Sequence, residues 1–277
     1  GCMPSKLLIA PAEAAHAVGR FGAFGLRLES DVAIDGHAVM ARVRAERDRF
    51  VGFVLQGVDA IPAADKIEGY ARFVDDTTLI VGHTTINAST VVIATGSSPA
   101  YPPDWNTLGD RLVTNETIFE WTDLPESVAV FGPGVIGLEL GQALHRLGVR
   151  VKVFGRGGGV GPLSDPELIL EARRAFSAEF YLDTDAHAEV SLDGDRVAVR
   201  YRALDGALRN EPFDYLLAAT GRSAHVRNLG LEHTSGVRDA QGIPAFDRER
   251  LQCGRPPSFI SADAHNGPPL LHHAAAV

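Results

Sequence analysis

Two stretches of this chain carry residue types whose spacing could do chemistry. The first is Gly1-Cys2-Met3-Pro4-Ser5-Lys6-Leu7-Leu8. Pro4 has no N–H and is at home in a first helical turn, which predicts Cys2 at or just before a helix N-terminus. The helix dipole there favours a thiolate, and Lys6 adds positive charge nearby. A thiolate held this way is a nucleophile or an electron donor. The same residues also fit a frayed terminus with an ordinary cysteine. The second stretch, Ser127 to Gly148, contains Gly132-x-Gly134-x-x-Gly137. An apolar strand, Val128 to Phe131, leads into it. A helix over Val135 to Leu147 and a second strand over Val149 to Phe154 follow. This is the setting that a dinucleotide-binding turn requires. Gly132 allows the tight strand-to-helix turn, Gly134 lets the backbone approach a pyrophosphate, and Gly137 lets the helix pack close on the strands. Val135 and Ile136 open the helix, whose free N–H groups face the phosphates.

The end of the second strand bears on which nucleotide binds. Versions of this motif that take NAD place Asp or Glu there, against the ribose 2′-OH. Here the strand runs into Gly155-Arg156, with no acid. Guanidinium suits a 2′-phosphate, so the reading leans to NADP over NAD. Arg156 also fits a solvated loop residue, and Gly157-Gly158-Gly159 is expected to make the loop mobile.

The elements that must position these residues follow from periodicity. A helix is expected from Ser5 to Val18, kinked or divided at Pro11. Another is expected from about Ala38 to Gln56, with Val39, Val43, Phe50 and Val54 at helical spacing. Between Gly69 and Thr95, ARFV, TLIV and TVVIAT read as a small antiparallel sheet feeding a buried strand. The proline-rich Ser97 to Trp105 reads as a crossing between domains. A helix is expected around Pro166 to Phe180, and short strands over 188–217 turn at Asp193-Gly194 and Asp205-Gly206. VVIATGSSP at 91–99 and LLAATGRSA at 216–224 echo one another. The expected fold is therefore α/β: two Rossmann-like, three-layer domains, each with a small antiparallel β-meander, the first domain incomplete.

Composition narrows the class. The 277 residues are 45% hydrophobic and 22% charged, which is ordinary for a globular protein. A formal net charge of -9 argues against nucleic-acid or anionic-membrane partners. No apolar run approaches the roughly 20 residues of a membrane span. Two cysteines, Cys2 and Cys253, make no secreted disulfide framework, so a reducing cytoplasm is the expected compartment. Cys253 reads as a loop residue, structural or incidental, and no metal site is expected.

GCMPSKLL resembles the redox-active segment of the class I pyridine nucleotide-disulfide oxidoreductases, dihydrolipoamide dehydrogenase among them. In that family two cysteines lie five positions apart, and G-C-x-P-[ST]-K begins at the second. The resemblance implies that Cys2 is the flavin-side thiol. It implies that Lys6 lies near the flavin and pairs, buried, with Glu139 just after the nucleotide loop. It further implies FAD contacts at Ala71, at the Thr95-Gly96-Ser97 turn and at Asp263, with Pro269, Leu270, Leu271 and His272 following along the flavin. AATGR, with Gly221, matches the end of the nicotinamide-nucleotide part. The implied domains are 1–98 and 225–277 for FAD and 99–224 for NAD(P).

The resemblance also implies parts outside these residues: the attacking cysteine, the first phosphate loop, and a dimerisation domain with its acid-base histidine. The chain is thus expected to be internal to a longer homodimeric flavoenzyme, and inactive toward disulfides as it stands. Ala262 replaces the family's glycine before Asp263. Three activities fit: a dihydrolipoamide dehydrogenase-like enzyme for a small disulfide or dithiol, an NADPH-dependent disulfide or mercuric reductase, and a nucleotide-binding module without turnover.

Overall fold

The structure, a computed structural model, describes residues 2–27, 29, 32–253 and 258–265. By packing, the chain forms two compact units. One joins the described residues up to Phe53 with Pro99–Gly221, and the other joins Val54–Ser98 with the described residues from Arg222 on. This is a division by contact, whereas the division at 98 and 224 read from the sequence concerns which ligand each part binds.

The first unit is built on a parallel sheet of five strands. Their order is Leu112–Thr114, Tyr215–Ala218, Ser127–Phe131, Arg150–Phe154 and Tyr181–Asp183. Every neighbouring pair is parallel. Such a sheet is covered on both faces, and Ser127–Phe131 is accordingly buried at each residue. Alternation along the strands sorts side chains between two cores. Val128, Val130, Val151 and Val153 join the core shared with the helices. Ala129, Phe131 and Phe154 join the other core, with Val197, Val199, Tyr201 and Phe213. Those four come from an antiparallel meander, Ala188–Asp193, Arg196–Arg202 and Leu208–Phe213, which turns at the two Asp-Gly pairs as expected.

Four α-helices are described: α1 (Cys2–Gly19), α2 (Gly36–Asp59), α3 (Val135–Arg146) and α4 (Pro166–Ser177). Helix α1 is one element with Pro11 inside it. Pro11 cannot donate to the carbonyl four residues back. That carbonyl, on Leu7, instead accepts from Arg42 Nη1 of α2 at 3.1 Å. The orphaned acceptor is thereby satisfied from a neighbouring helix. Leu8 and Ala12 of α1 and Met40 and Val43 of α2 are buried in the core shared with α3. Phe50 and Val54, at the same helical spacing on α2, are exposed.

In the second unit, Ala71–Phe73, Thr78–Val81 and Thr84–Asn87 form an antiparallel meander. The segment TVVIAT is not part of it. Val91–Ile93 instead pairs in parallel with Ser258–Ile260, which pairs antiparallel with Gln252–Cys253. A run of three β-branched residues fits either kind of pairing, and only the returning chain supplies the parallel partner. Cys253, read as a loop residue, is therefore on a strand. It is buried, and burial pushes its thiol pKa up.

One charged network sits between the sheet and the meander of the first unit. Lys152 Nζ donates to Tyr201 Oη at 2.6 Å and to Glu211 Oε1 at 2.7 Å, and Tyr201 Oη donates to Glu211 at 2.7 Å. Burial raises the Glu211 pKa, but the Lys152 and Tyr201 hydrogen bonds outweigh it, so the net shift is downward. Glu179, bonded by Arg146 and partly desolvated, is also lowered.

Two stability predictions follow from these contacts. A carboxylate whose native pKa is depressed contributes stability above the unfolded value and loses it as pH falls through the native one. The urea midpoint should therefore hold near neutrality and decline below about pH 5, and Glu211→Gln should flatten part of that decline. An unchanged acid limb in Glu211→Gln would contradict the assignment. Leu144, fully buried on α3, should cost about 2–5 kcal/mol when cut to alanine, read as a lower urea midpoint at constant slope.

Candidate functional site

The glycine loop has the geometry its spacing predicts. At Gly132, φ is +106°, and an added Cβ would lie 2.2 Å from the Ala219 carbonyl oxygen. At Gly137 an added Cβ would lie 1.9 Å from the Gly132 carbonyl oxygen. Both positions exclude any side chain. Gly134 differs, because an added Cβ there meets no protein atom within 4 Å. Its role is to leave space, and that space lies at the start of α3. Gly134 is also the N-cap of α3, with no side-chain cap on the helix. Helix α4 shows the alternative: Asp165 Oδ1 accepts from the N–H groups of Glu167 at 2.9 Å and Leu168 at 3.2 Å. The α3 terminus thus keeps its donors and its positive dipole end for an external anion. A dinucleotide pyrophosphate fits this cradle.

The loop after Arg150–Phe154 is more ordered by contact than its glycines suggest. Gly155 N–H donates to the Asp183 carbonyl at 2.6 Å, and Gly158 N–H to the Thr184 carbonyl at 2.9 Å. Gly157 N–H donates to Asp185 Oδ1 at 2.7 Å, and Arg173 Nη2 donates to the Gly158 carbonyl at 3.2 Å. The expected mobile loop is thus tied at four points to α4 and to the end of Tyr181–Asp183, the third strand of the run that starts at Ser127. Arg156 is exposed within it. Sequence reasoning missed Asp185 because it looked for an acid at the second strand alone.

Packing of α1 against α3 brings two predicted residues together. Lys6 donates to Glu139 Oε1 in an ion pair across 133 positions of sequence. Ser5, buried, donates to Glu139 Oε2 at 3.4 Å. The pair is not the buried one expected. The Lys6 side chain is 68% exposed and that of Glu139 23%. Glu139 also lines a groove of about 380 Å³ with Val135, Leu138, Val160, Leu163 and Phe176. Ile136 packs toward the core, whereas Val135 is exposed. Cys2 is the first residue of α1, as predicted from Pro4.

In the second unit the Thr95–Ser97 turn is tied to residues far along the chain. Ser97 Oγ donates to Asp263 Oδ2 at 3.2 Å. Arg222 Nε donates to Ser97 Oγ at 2.7 Å and lies 3.5 Å from Asp263 Oδ2. Thr95 Oγ1 donates to the His225 carbonyl at 2.8 Å, and His225 Nδ1 sits 3.0 Å from the Thr95 carbonyl. Gly96, at φ +70°, has open space around it. Asp263 and the Thr95 turn, each implied by the resemblance as a flavin contact, are thus brought together. Arg222 and His225 were missed; the repeated Ala-Thr-Gly was the available signal. Ala71 lies on its strand opposite Val81 and packs on the core around Phe73 and Ile93. Gly221, which closes the first unit's Pro99–Gly221 segment at φ +137°, accepts from Ala100 N–H at 2.9 Å. Asp263 belongs to a 3₁₀ turn opened by Ala262. Pro269, Leu270, Leu271 and His272, and the side chain of Cys2, lie outside the described residues. Among the described residues no cluster of His, Cys, Asp or Glu could hold a metal, and no helix is long and apolar enough to cross a membrane.

Comparison with known proteins is consistent along the whole chain. Residues 1–276 match the family described as pyridine nucleotide-disulphide oxidoreductase. Dihydrolipoyl dehydrogenase 3 of Pseudomonas aeruginosa is 30% identical over 287 residues, covering 99% of this chain and 60% of that protein. A mercuric reductase of Acidithiobacillus ferrooxidans is 31% identical over 286 residues, covering 100% of this chain and 51% of that protein. The chain thus spans between half and two thirds of the length of these relatives. Among solved structures, LpdA from Mycobacterium tuberculosis shares the fold with a TM-score of 0.79 at 24% identity, over 100% of this chain and 61% of that one. The HOCl-induced flavoprotein disulfide reductase RclA from Escherichia coli shares it with a TM-score of 0.77 at 18% identity, over 100% of this chain and 59% of that one.

The glycine geometry separates folding from binding. Gly134→Ala should fold with an unchanged urea midpoint yet weaken NAD(P)H binding about tenfold or more, because its methyl group enters the ligand space. Gly137→Ala should lower the midpoint sharply, because its methyl overlaps backbone. Equal effects of the two substitutions on stability would contradict these roles.

Proposed function

The chain belongs to the pyridine nucleotide-disulphide oxidoreductase family, and we propose that the whole protein passes electrons between NAD(P)(H), FAD and a cysteine pair, in the manner of dihydrolipoamide dehydrogenase. The observation that carries the reading is the Lys6–Glu139 pair. It joins the cysteine segment at the start of α1 to the first turns of the helix that presents the nucleotide phosphates. FAD, when bound, supplies a two-electron carrier between nicotinamide and thiol. In this reading residues 1–98 and 225–277 serve FAD, and 99–224 serve the nicotinamide nucleotide.

The chain's own residues have distinct tasks. The free N–H groups at the α3 terminus bind the pyrophosphate. Glu139 fixes the Lys6 ammonium, and Lys6 holds positive charge near the flavin position. Cys2, at the start of α1, would be the flavin-side thiol, placed where a helix dipole favours a thiolate. Thr95, Gly96, Ser97 and Asp263 would hold the flavin side, with Asp263 already fixed by Ser97 and Arg222. Cys253, buried on its strand, takes no part. The protein would act as a cytoplasmic homodimer on a small disulfide or dithiol, and the 277 residues alone would bind nucleotide without turning over substrate.

A second reading has one observation in its favour. Arg156 is exposed just past the second strand, where no acid stands, which suits NADPH and so an NADPH-dependent disulfide or mercuric reductase. The deciding experiment is a steady-state assay of the full-length protein. It compares dihydrolipoamide with NAD, and glutathione disulfide and mercuric ion each with NADH and NADPH. Turnover of dihydrolipoamide with NAD supports the first reading, and NADPH-linked reduction supports the second. Absence of every activity, with nucleotide binding retained, would leave a binding module. In the full-length protein, Lys6→Ala should shift the flavin absorbance spectrum; an identical spectrum would contradict the placement of Lys6.

A further inference from the structure

We propose that Asp185, which follows the third parallel strand, is a specificity-determining residue for the nicotinamide nucleotide and acts against a 2′-phosphate. The proposal rests on the reading that residues 155–159 face the adenosine end of that nucleotide. The second strand, Arg150–Phe154, ends without an acid. The third strand runs beside it in parallel, with Phe154 opposite Asp183. This register carries Asp185 alongside the loop that begins at Gly155. Its Oδ1 accepts the Gly157 N–H at 2.7 Å. An acid thus reaches the loop that follows the second strand, supplied from just past the end of the neighbouring strand.

The loop's donors explain the consequence. Gly157 and Gly158 both have positive φ, +79° and +78°. The Gly157 N–H is taken by the Asp185 carboxylate, and the Gly158 N–H by the Thr184 carbonyl at 2.9 Å. A 2′-phosphate seeking the Gly157 donor must displace one anion while remaining beside it. A ribose 2′-hydroxyl faces no such conflict, since it can donate to a carboxylate. Arg156, exposed in the same loop, attracts phosphate, while Arg173 is engaged with the Gly158 carbonyl at 3.2 Å. The loop therefore carries two opposed charges, Arg156 for a 2′-phosphate and Asp185 against it.

The test is calorimetric titration of the 277-residue chain with NADH and with NADPH. Asp185→Asn keeps an oxygen acceptor for the Gly157 N–H and removes only the charge. It should raise the affinity for NADPH relative to NADH by roughly five- to tenfold, as one unit charge at a part-solvated site would. The gain should shrink as salt is raised. Arg156→Ala should move the ratio the other way. Asp185→Ala also removes the tether, so it should weaken both nucleotides relative to Asp185→Asn. An unchanged NADPH-to-NADH ratio in Asp185→Asn overturns the proposal and leaves the nucleotide reading standing. A parent chain that binds neither nucleotide overturns both.

Discussion

Helix α3 lies closer to the parallel sheet than any side chain at its entrance would permit. Gly132 and Gly137 meet backbone oxygens at distances where even a methyl group overlaps. Much of the first unit depends on that approach. It brings Leu140 and Leu144 onto Val128, Val130 and Val153 in one core. It aims the uncapped start of α3 past Gly134, into space that the protein leaves open. It also fixes where Glu139 stands, one turn into the helix, within reach of Lys6. The same contact that stabilises the fold therefore sets the geometry of the anion cradle and of the ion pair.

Helix α4 caps its own terminus with Asp165, whereas α3 does not. An uncapped terminus costs little in water but attracts an anion strongly once shielded from it. Lys6 and Glu139 form a half-exposed pair, whose direct contribution to stability is small. Its value lies in holding two functional groups at one place. Lys152, by contrast, is largely buried beside the Tyr181 and Tyr201 rings and donates to both Glu211 and Tyr201. That network anchors the meander to the sheet.

Helix α1 shows how a local defect becomes a long-range tie. Pro11 removes the donor for the Leu7 carbonyl, and Arg42 of α2 replaces it. The helix that begins with Cys2 is in this way fastened to α2 as well as packed on α3. In the second unit, Arg222 and Asp263 fasten the Thr95–Ser97 turn through Ser97 Oγ, from more than a hundred positions away.

Local pattern alone determined a good deal. The strand–glycine loop–helix–strand unit, the Asp-Gly turns of the meander and the placement of Cys2 at the start of a helix each rest on short-range rules of sterics, period and capping. Those rules act within a few residues, so they are readable in order along the chain. Tertiary structure decided the rest, because it depends on which strand lies beside which. Val91–Ile93 runs parallel to Ser258–Ile260 and not with the meander before it. Phe50 and Val54 share the helical spacing of Val43 and yet are exposed. The Lys6–Glu139 pair is half-exposed because no described element closes over Lys6. Asp185 reaches the loop of Arg156 only through the register of two parallel strands joined by a helix. A charge brought to a site from a neighbouring strand leaves no mark at the site's own place in the sequence.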